Sequence, residues 1–200
     1  MTKRQPKGTP VGGQFAQDRK PSGGDIIQIV GRSDGTKEWY RNGQRHREDG
    51  PAIEYPDGTT FWYRNGQCHR DDGPAIEKPN GTRMWYRNGE LHRDDGPAIE
   101  QADGTKEWYR NGERHRDDGP AVEWSDGSKL WYRNGLLHRD DGPAIEYPNG
   151  TKWWYRDGQL HRDDGPAIEY PDSPAIEKPN GAREWYRHGY QIPDPTEETS

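Results

Sequence analysis

The sequence predicts an all-β protein: a repetitive antiparallel meander of β-hairpins that forms an elongated, solenoid-like ribbon, single-layer or shallowly coiled. A segment of 23 residues, complete from Thr59 to Gly81, occurs six times and begins a seventh time. Its Trp-Tyr pair recurs every 23 residues and then, after a gap of 31, at Trp185. A fixed period of this length is typical of repeat proteins, in which each unit is one supersecondary element.

Each repeat contains two turn signals, which divide it into two strands. Asn-Gly follows Trp-Tyr-Arg and favours a type I′ turn, because both of its residues tolerate positive φ. Asp-Gly or Asn-Gly comes before the next Trp-Tyr strand and is expected to form the return turn. Asp-Asp-Gly-Pro should bend the second strand. With strands about 4.8 Å apart, seven repeats would form a ribbon roughly 65–70 Å long.

The composition excludes a thick hydrophobic core. Only 26% of the 200 residues are hydrophobic and 32% are charged, a balance that by itself leans toward disorder. Nine Trp and eleven Tyr residues, nearly all in register, counter this because each aromatic ring buries a large area. We therefore predict a thin structure held together by aromatic side chains.

The repeats occupy the middle of the chain. Residues 1–24 are rich in Gly, Pro and Lys and lack the period, so we predict a flexible basic arm. Asp25–Val30 is the most aliphatic segment and is expected to be a strand that caps the first repeat. The repeat domain is predicted to span residues 25–191, followed by a disordered acidic tail at residues 192–200.

One irregularity interrupts the period. The gap of 31 residues is 15 short of two repeats (46 − 31 = 15). Pro166–Asp172 is followed, after one serine, by the similar segment Pro174–Asn180, so a Trp-Tyr hairpin is missing between them. We expect the regular stacking of the repeats to be interrupted near residues 172–174.

Two variable positions in each repeat support the hairpin register. With a two-residue turn at Asn42-Gly43, Tyr40 faces Arg45, and Glu38 lies diagonally from Arg45 on the same face. In the six repeats these two positions hold Glu/Arg, Phe/Cys, Met/Leu, Glu/Arg, Leu/Leu and Trp/Leu. In every repeat the two side chains are either oppositely charged or both apolar. We call the face that carries these residues and the tyrosine the Tyr face; it is predicted to be charged in repeats one and four and apolar in the others.

The opposite face carries a constant Trp and a constant His, predicted to lie across the hairpin from each other in a structural role. These residues are Trp39, His46, Trp62, His69, Trp85, His92, Trp108, His115, Trp131, His138, Trp154 and His161, with Trp185 beginning the seventh repeat. Histidines of neighbouring repeats, about 10 Å apart, cannot share a zinc ion, whose ligands lie near 2 Å. No metal site is therefore predicted.

The Asp-Asp-Gly segments offer two hypotheses. Aspartate-rich and glycine-rich turns bind calcium in some β-solenoids. Each segment is however preceded by an arginine, such as Arg70 before Asp71-Asp72, and a second arginine follows each tyrosine. We favour structural networks in which these arginines neutralise the aspartates and form ladders along the ribbon.

Several classes of function are disfavoured. The chain has no P-loop, GxSxG or HExxH motif, and carboxylates repeated identically do not form the single asymmetric pocket of an enzyme. We predict no catalytic residue and no cofactor. The net charge is −6, with +4 in residues 1–24 and thus −10 in the rest, which disfavours binding to nucleic acid or to anionic membranes. Gly12-Gly13-Gln14 matches the motif of peptide-release factors, but nothing around it does.

The compartment is predicted from cysteine content and apolar segments. Cys68 is the single cysteine, so no disulfide framework exists, and no apolar stretch reaches signal-peptide or transmembrane length. A cytoplasmic protein is expected.

The repeat Trp-Tyr-Arg-Asn-Gly-x-x-His-Arg-Asp-Asp-Gly-Pro-Ala-Ile-Glu-x-Pro-Asp-Gly resembles the MORN repeat over about 160 of the 200 residues. It is most similar to the variant associated with bacterial toxin–antitoxin systems and found in phages and large viruses. The resemblance implies a single-layer ribbon used as a scaffold or binding surface. Arg-Asp-Asp-Gly-Pro replaces the plain Gly-x-Gly common in the family, which argues against lipid binding. The segment KGTPVGGQFA in the arm is similar to N-terminal segments in actinobacterial and actinophage reading frames.

We therefore expect a non-enzymatic, protein-binding scaffold that is antitoxin-like or a phage-encoded inhibitor or accessory protein, in the cytoplasm of a bacterium or of a phage host. Binding is assigned to Tyr63, Met84, Leu91, Leu130, Leu137, Trp153 and Leu160 on the Tyr face. The competing hypothesis is that the curvature of the ribbon buries this face.

A second function is compatible with the repeat. Cell-wall carbohydrate-binding and choline-binding repeats also combine Trp-Tyr, Asn-Gly and Asp-Gly, and they hold ligands in aromatic cages by cation–π contact. Those proteins are secreted, and they lack the His-Arg-Asp-Asp segment. The exposed edges of a ribbon would also be open to pairing with a second copy.

Overall fold

The computed structural model describes residues 24–165 and 167–169. It also describes the backbone of three short strands outside this range, Phe15–Ala16, Trp185–Arg187 and Tyr190–Ile192. Every regular element in the described part of the chain is a β-strand, and the strands form an antiparallel meander. The predicted all-β ribbon of hairpins is confirmed.

One long sheet runs through all the described repeats. It begins with a capping strand, Ile27–Gly31, and the first Trp-Tyr strand, Lys37–Arg41. Two-residue strands follow in chain order: Ile53–Glu54, Thr60–Phe61, Ile76–Glu77, Arg83–Met84, Ile99–Glu100, Lys106–Glu107, Val122–Glu123, Lys129–Leu130, Ile145–Glu146, Lys152–Trp153 and Ile168–Glu169. Each strand pairs with the strands before and after it in this order, so every repeat adds one strand in each direction.

A row of short hairpins runs beside the long sheet, because the Trp interrupts each later Trp-Tyr strand. Beyond it, Tyr-Arg pairs with the two residues after the turn. The pairs are Tyr63–Arg64 with Gln67–Cys68, Tyr86–Arg87 with Glu90–Leu91, Tyr109–Arg110 with Glu113–Arg114, Tyr132–Arg133 with Leu136–Leu137, Tyr155–Arg156 with Gln159–Leu160 and Trp185–Arg187 with Tyr190–Ile192; Gln44–Arg45 pairs with Lys37–Arg41 in the first repeat.

Backbone hydrogen bonds connect the hairpin row in two directions. Within a repeat, the Trp62 N–H donates to Ala75 O at 2.7 Å and the His69 N–H donates to Trp62 O at 3.0 Å. Between repeats, the Gly66 N–H donates to Arg45 O at 2.9 Å. The interruption at the Trp is therefore a bend in a bonded ribbon and not a break in it.

The two turns of each repeat have different geometries. Asn65 and Gly66 both have positive φ, 50° and 78°, which is the predicted type I′ turn. In the return turn only Gly58 has positive φ, 88°, and its N–H donates to Tyr55 O at 3.0 Å. This is the pattern of a type I turn closed by a glycine bulge. The Asp57 carboxylate accepts the Thr59 N–H at 2.8 Å, a role that Asn fills equally well in two repeats.

The predicted capping strand is confirmed. Ile27–Gly31 pairs along five residues with Lys37–Arg41, more than any later strand, because no Asp-Asp-Gly-Pro segment bends it. Its outer edge pairs with Phe15–Ala16, which lies within the predicted arm. The rest of that arm, the expected interruption near residues 172–174 and the tail beyond Ile192 lie outside the described residues.

The hydrophobic core is thin: larger side chains form a row on one face, and the alanine before each Ile or Val, such as Ala75 at 0% exposure, is buried as well. The Ile or Val of each Ala-Ile-Glu segment alternates along the sheet with the first variable residue of each repeat, as in Ile53 paired with Phe61. Val122, Leu130 and Ile145 form its best-buried cluster, with exposed fractions of 1%, 6% and 5%. The expectation of a thin core is consistent with this arrangement.

The charged repeats place an ion pair in this same row. Glu38 is only 3% exposed, and Arg45 contacts its carboxylate at 3.3 Å. In the fourth repeat Arg114 contacts Glu107 at 2.9 Å. Tyr40 pairs with Arg45, as predicted from the turn. The hairpin register inferred from the paired variable residues is therefore confirmed.

We expect Glu107→Leu to lower the free energy of unfolding by about 1–2 kcal/mol, because it leaves Arg114 and the Tyr109 hydroxyl without their shared acceptor. The double variant Glu107→Leu/Arg114→Leu reproduces the Leu130/Leu137 pair of the fifth repeat and should recover at least half of the loss. Urea unfolding measures both. A double variant no more stable than the single one would contradict the proposed pairing.

Candidate binding surfaces

The arginine of each His-Arg segment lies on the tryptophan of its own repeat. In the second repeat the Arg70 guanidinium carbon is 4.0 Å from the centroid of the Trp62 ring. Its Nε–H donates to Asp72 at 3.1 Å, and its Nη1 donates to Pro74 O at 3.1 Å and to Glu77 at 2.7 Å. One arginine thus joins the Trp strand, the bend and the return strand.

The same stack occurs in all six described repeats, with 4.0–4.1 Å between the guanidinium carbon and the ring centroid. The pairs are Arg47 on Trp39, Arg70 on Trp62, Arg93 on Trp85, Arg116 on Trp108, Arg139 on Trp131 and Arg162 on Trp154. Cation–π contacts of this kind contribute about 0.5–2 kcal/mol each, more when desolvated.

The glycine of Asp-Asp-Gly-Pro makes room for this arginine. A Cβ at Gly73 would lie 3.0 Å from the guanidinium carbon of Arg70, and one at Gly165 would lie 2.6 Å from that of Arg162. Glycine therefore occupies this position because the arginine side chain approaches it closely, and not because the backbone adopts a positive φ.

A second arginine binds the first aspartate of each pair. In the second repeat Arg64 contacts Asp71, and His69 Nε2 lies 2.8 Å from the same carboxylate. The hydrogen bond from Arg64, followed by that from His69, lowers the pKa of Asp71 to about 2. Asp94 has the same partners in the third repeat and the same pKa of about 2. The predicted Arg–Asp networks are present, but these pairs close within one repeat.

The histidine connects each repeat to the next. His69 is buried, and its Nδ1 accepts the backbone N–H of Asn88, 19 residues later, at 3.0 Å. The Nε2 therefore carries the proton and donates it to Asp71. The predicted structural role fits, although the sequence did not identify the partner in the next repeat. The Asn that recurs in the turn was the sequence feature that could have indicated this partner.

These groups line shallow grooves between consecutive repeats. The groove between repeats one and two has a volume of about 520 Å³, and that between repeats three and four about 620 Å³. Each is lined by the segments of both repeats that begin with His-Arg and continue with an acidic residue, Glu48 in repeat one and Asp in the others, and by the Trp-Tyr-Arg segment of the later repeat. Most of the charged groups that line them are paired with each other, as in Arg64 with Asp71.

The Tyr face has a different character. Six of the residues predicted for binding are half-buried there, namely Tyr63, Met84, Leu91, Leu137, Trp153 and Leu160. The seventh, Leu130, is only 6% exposed and belongs to the core cluster, with Tyr132, Leu137 and Trp153 packed around it. The face therefore serves as part of the protein's own core, while its rim remains accessible.

A third variable position completes this face, and the sequence analysis missed it. It lies six residues before the first variable position, just before the return turn that leads into the Trp-Tyr strand, and we count it with the repeat that follows. Arg32 contacts Glu38 at 2.9 Å, the Tyr55 ring centroid lies 5.6 Å from that of Phe61, and the Tyr147 ring centroid lies 6.1 Å from that of Trp153. The available signal was the class of the residue, which matches the other two variable positions in five repeats: polar in repeats one and four and aromatic in repeats two, five and six. Repeat three departs from it, with Lys78 beside an apolar pair.

The third position also holds the most exposed aromatic side chains of this face. Trp124 is 39% exposed and Tyr55 is 40% exposed. Cys68 lies on the same face but is half-buried, and burial raises the pKa of its thiol to about 12. The thiol is therefore protonated at neutral pH.

No protein-family model matches this chain, and no curated protein is significantly similar to it in sequence. Within the described residues, no group of three or more His, Cys, Asp or Glu side chains is placed to hold a metal ion. The same part of the chain contains no helix of the length and apolar character needed to span a membrane.

We expect Gly96→Ala to displace Arg93 from Trp85, because its Cβ would lie 3.0 Å from the guanidinium carbon. Lost cation–π and hydrogen-bond contacts should lower the free energy of unfolding by about 1–2 kcal/mol. The change should cost much less in an Arg93→Met background, where the stack is already absent. Equal costs of Gly96→Ala in both backgrounds, measured by urea unfolding, would show that Gly96 acts independently of Arg93.

Stability should also fall in acid. The pKa of Asp71 and of Asp94 is lower in the folded protein than the usual 3.8, so their ion pairs stabilise the fold fully above pH 3.8 and lose this effect as the pH falls through about 2. We expect the midpoint of urea unfolding to decline between pH 4 and pH 2. The decline should be shallower in Asp71→Asn/Asp94→Asn, and an unchanged slope would argue against these pairs as its cause.

Proposed function

We propose that this protein is a non-enzymatic repeat scaffold that binds another protein through the rim of its Tyr face. The observation that carries the proposal is the accessible aromatic surface of the fifth and sixth repeats, led by Trp124 at 39% exposure. Exposed aromatic side chains on a half-buried apolar face are typical of protein-binding sites.

The division between constant and variable residues supports this proposal. The constant residues are engaged inside the protein, as in Trp108 covered by Arg116 and His115 bonded to the backbone N–H of Asn134. Three positions that vary from repeat to repeat form the Tyr face together with the constant tyrosine. A surface that differs from repeat to repeat on a uniform scaffold is suited to recognising one partner rather than a repeated small ligand.

The same contacts weigh against the alternatives. A choline-type ligand would need the constant tryptophan rings of the repeats as cation sites, but an arginine of the protein already lies on each of these six described rings at 4.0–4.1 Å. For an enzyme, the grooves offer acids and bases that neutralise each other. They also recur along the chain and do not form one distinctive pocket.

The biological role that we propose follows the sequence resemblance. One hairpin in each 23 residues is compatible with a MORN-type repeat of the variant linked to toxin–antitoxin systems and phages. We propose an antitoxin-like protein or a phage-encoded inhibitor or accessory protein, acting in the bacterial or host cytoplasm.

Trp124→Lys tests the binding surface with a residue that the third repeat already carries at the same position, Lys78. We expect the wild-type protein to retain a specific partner in affinity capture from bacterial extract, and the variant to lose at least about tenfold in affinity for it, as for an aromatic hot spot. Asp118→Asn, on the opposite face, is the matched control and should bind normally. If Trp124→Lys binds as well as the control, the Tyr face is not the site.

A further inference from the structure

The Asn-Gly turns of the hairpin row are chemically alike but not equally protected. Asn-Gly is the dipeptide in which an asparagine side chain is most readily attacked by the following backbone nitrogen, because glycine adds no steric barrier. Five such turns occur in the described hairpins, at Asn42, Asn65, Asn88, Asn111 and Asn134. All five share positive φ at both residues, so their local backbone geometry does not distinguish them.

The nitrogen of the glycine distinguishes them. In repeats two to five it donates a hydrogen bond to the preceding repeat, from Gly66 to Arg45 O, Gly89 to Cys68 O, Gly112 to Leu91 O and Gly135 to Arg114 O, at 2.9–3.0 Å. For attack, this N–H must first leave its acceptor. In the return turns that contain Asn-Gly, the Gly81 and Gly150 nitrogens donate within their own turns, to Lys78 O and Tyr147 O, at 2.9 Å.

Among the described residues, the first turn has no such hydrogen bond. No carbonyl group among the described residues accepts the Gly43 N–H, since the capping strand bonds to Asn42 instead. Asn42 and Gly43 are both exposed, so water and base reach them. We propose that Asn42 is a site of spontaneous deamidation, favoured over the other Asn-Gly turns by its place at the end of the ribbon.

The reaction needs only water. The Gly43 nitrogen loses its proton to solvent and bonds to Cγ of Asn42, and the bond from Cγ to Nδ2 breaks with release of ammonia. Water then opens the resulting succinimide ring at one of its two carbonyl groups, giving an aspartyl or an isoaspartyl residue. No oxidant or cofactor takes part.

The product would loosen the cap. Asn42 Oδ1 accepts the Ile26 N–H at 2.9 Å, and its Nδ2 donates to the Asp25 carboxylate at 2.8 Å. In the product an oxygen replaces this donor and two carboxylates face each other. The sixth repeat carries a natural aspartate at this position, Asp157, but its carboxylate lies 3.7 Å from the Arg133 guanidinium and 2.8 Å from His138 Nδ1. A carboxylate is thus accommodated in the sixth repeat and opposed in the first.

Peptide mapping of the intact chain tests the site. After incubation in mildly alkaline buffer, trypsin cleavage after each Tyr-Arg releases five distinct peptides that begin at the five asparagines. Digestion in heavy-oxygen water marks any deamidation that occurs during the digest. We expect Asn42 to convert about tenfold faster than the other four in the folded protein, the ratio for an attack that no longer requires opening of a backbone hydrogen bond. In denaturant all five should convert at similar rates.

Two results would overturn the proposal. One is an Asn42 rate in the folded protein no higher than that of Asn65 or Asn111. The other is an equal advantage of Asn42 in denaturant, which would assign it to sequence and not to the fold.

The consequence for the cap has its own control. Asn42→Asp should speed amide hydrogen exchange of the capping strand, Ile27–Gly31. Asn134→Asp, whose partner is His115, should leave exchange in its own hairpin unchanged. Equal effects of the two variants would remove the link between deamidation and the cap.

Discussion

The stack of an arginine on a tryptophan is the contact on which the rest of the ribbon depends. The chain has too few aliphatic residues to pack a second layer on the sheet. Side-chain contacts between neighbouring strands must therefore stabilise it. In the third repeat Arg93 does this by covering Trp85 while bonding Asp95, Pro97 O and Glu100. The glycine of the bend, the proline carbonyl and the glutamate of the return strand all recur because they meet one guanidinium group.

A second constraint places the constant residues on one face of the ribbon and the variable residues of the Tyr face on the other. Constant side chains fill one face with contacts inside a repeat and to its neighbour, so the other face can change in composition without changing the backbone. It changes in groups of three residues that touch one another, as Arg32, Glu38 and Arg45 do in the first repeat. Charge and apolar surface therefore alternate on a scaffold whose geometry stays the same.

Much of the fold could be predicted because its signals are local or repeated. Asn-Gly specified the type I′ turn, and the paired variable residues specified the register. Three features escaped prediction. The division of the strand at Trp62 depends on a bend that periodicity does not report, and the bond from His69 to Asn88 joins constant residues, which leave no pattern of variation. The third variable position of the Tyr face lies ahead of the hairpin and so outside the register argument. Burial of that face, seen near Leu130, was left open by the sequence, because it depends on packing between adjacent strands that a single repeat cannot reveal.

Most arginine–carboxylate pairs close within one repeat, although Arg133 also lies 3.7 Å from Asp157 of the next repeat. This closure bears on how such a chain changes over generations. Each unit carries its own counter-ions, and its link to the next unit, from His92 to the turn at Asn111, uses groups that every described junction shares. Recombination between repeated coding segments can therefore insert or remove whole units while most arginines keep the carboxylates of their own unit. The length of the ribbon is free to drift, and the order of its variable faces can be reshuffled without redesigning the backbone.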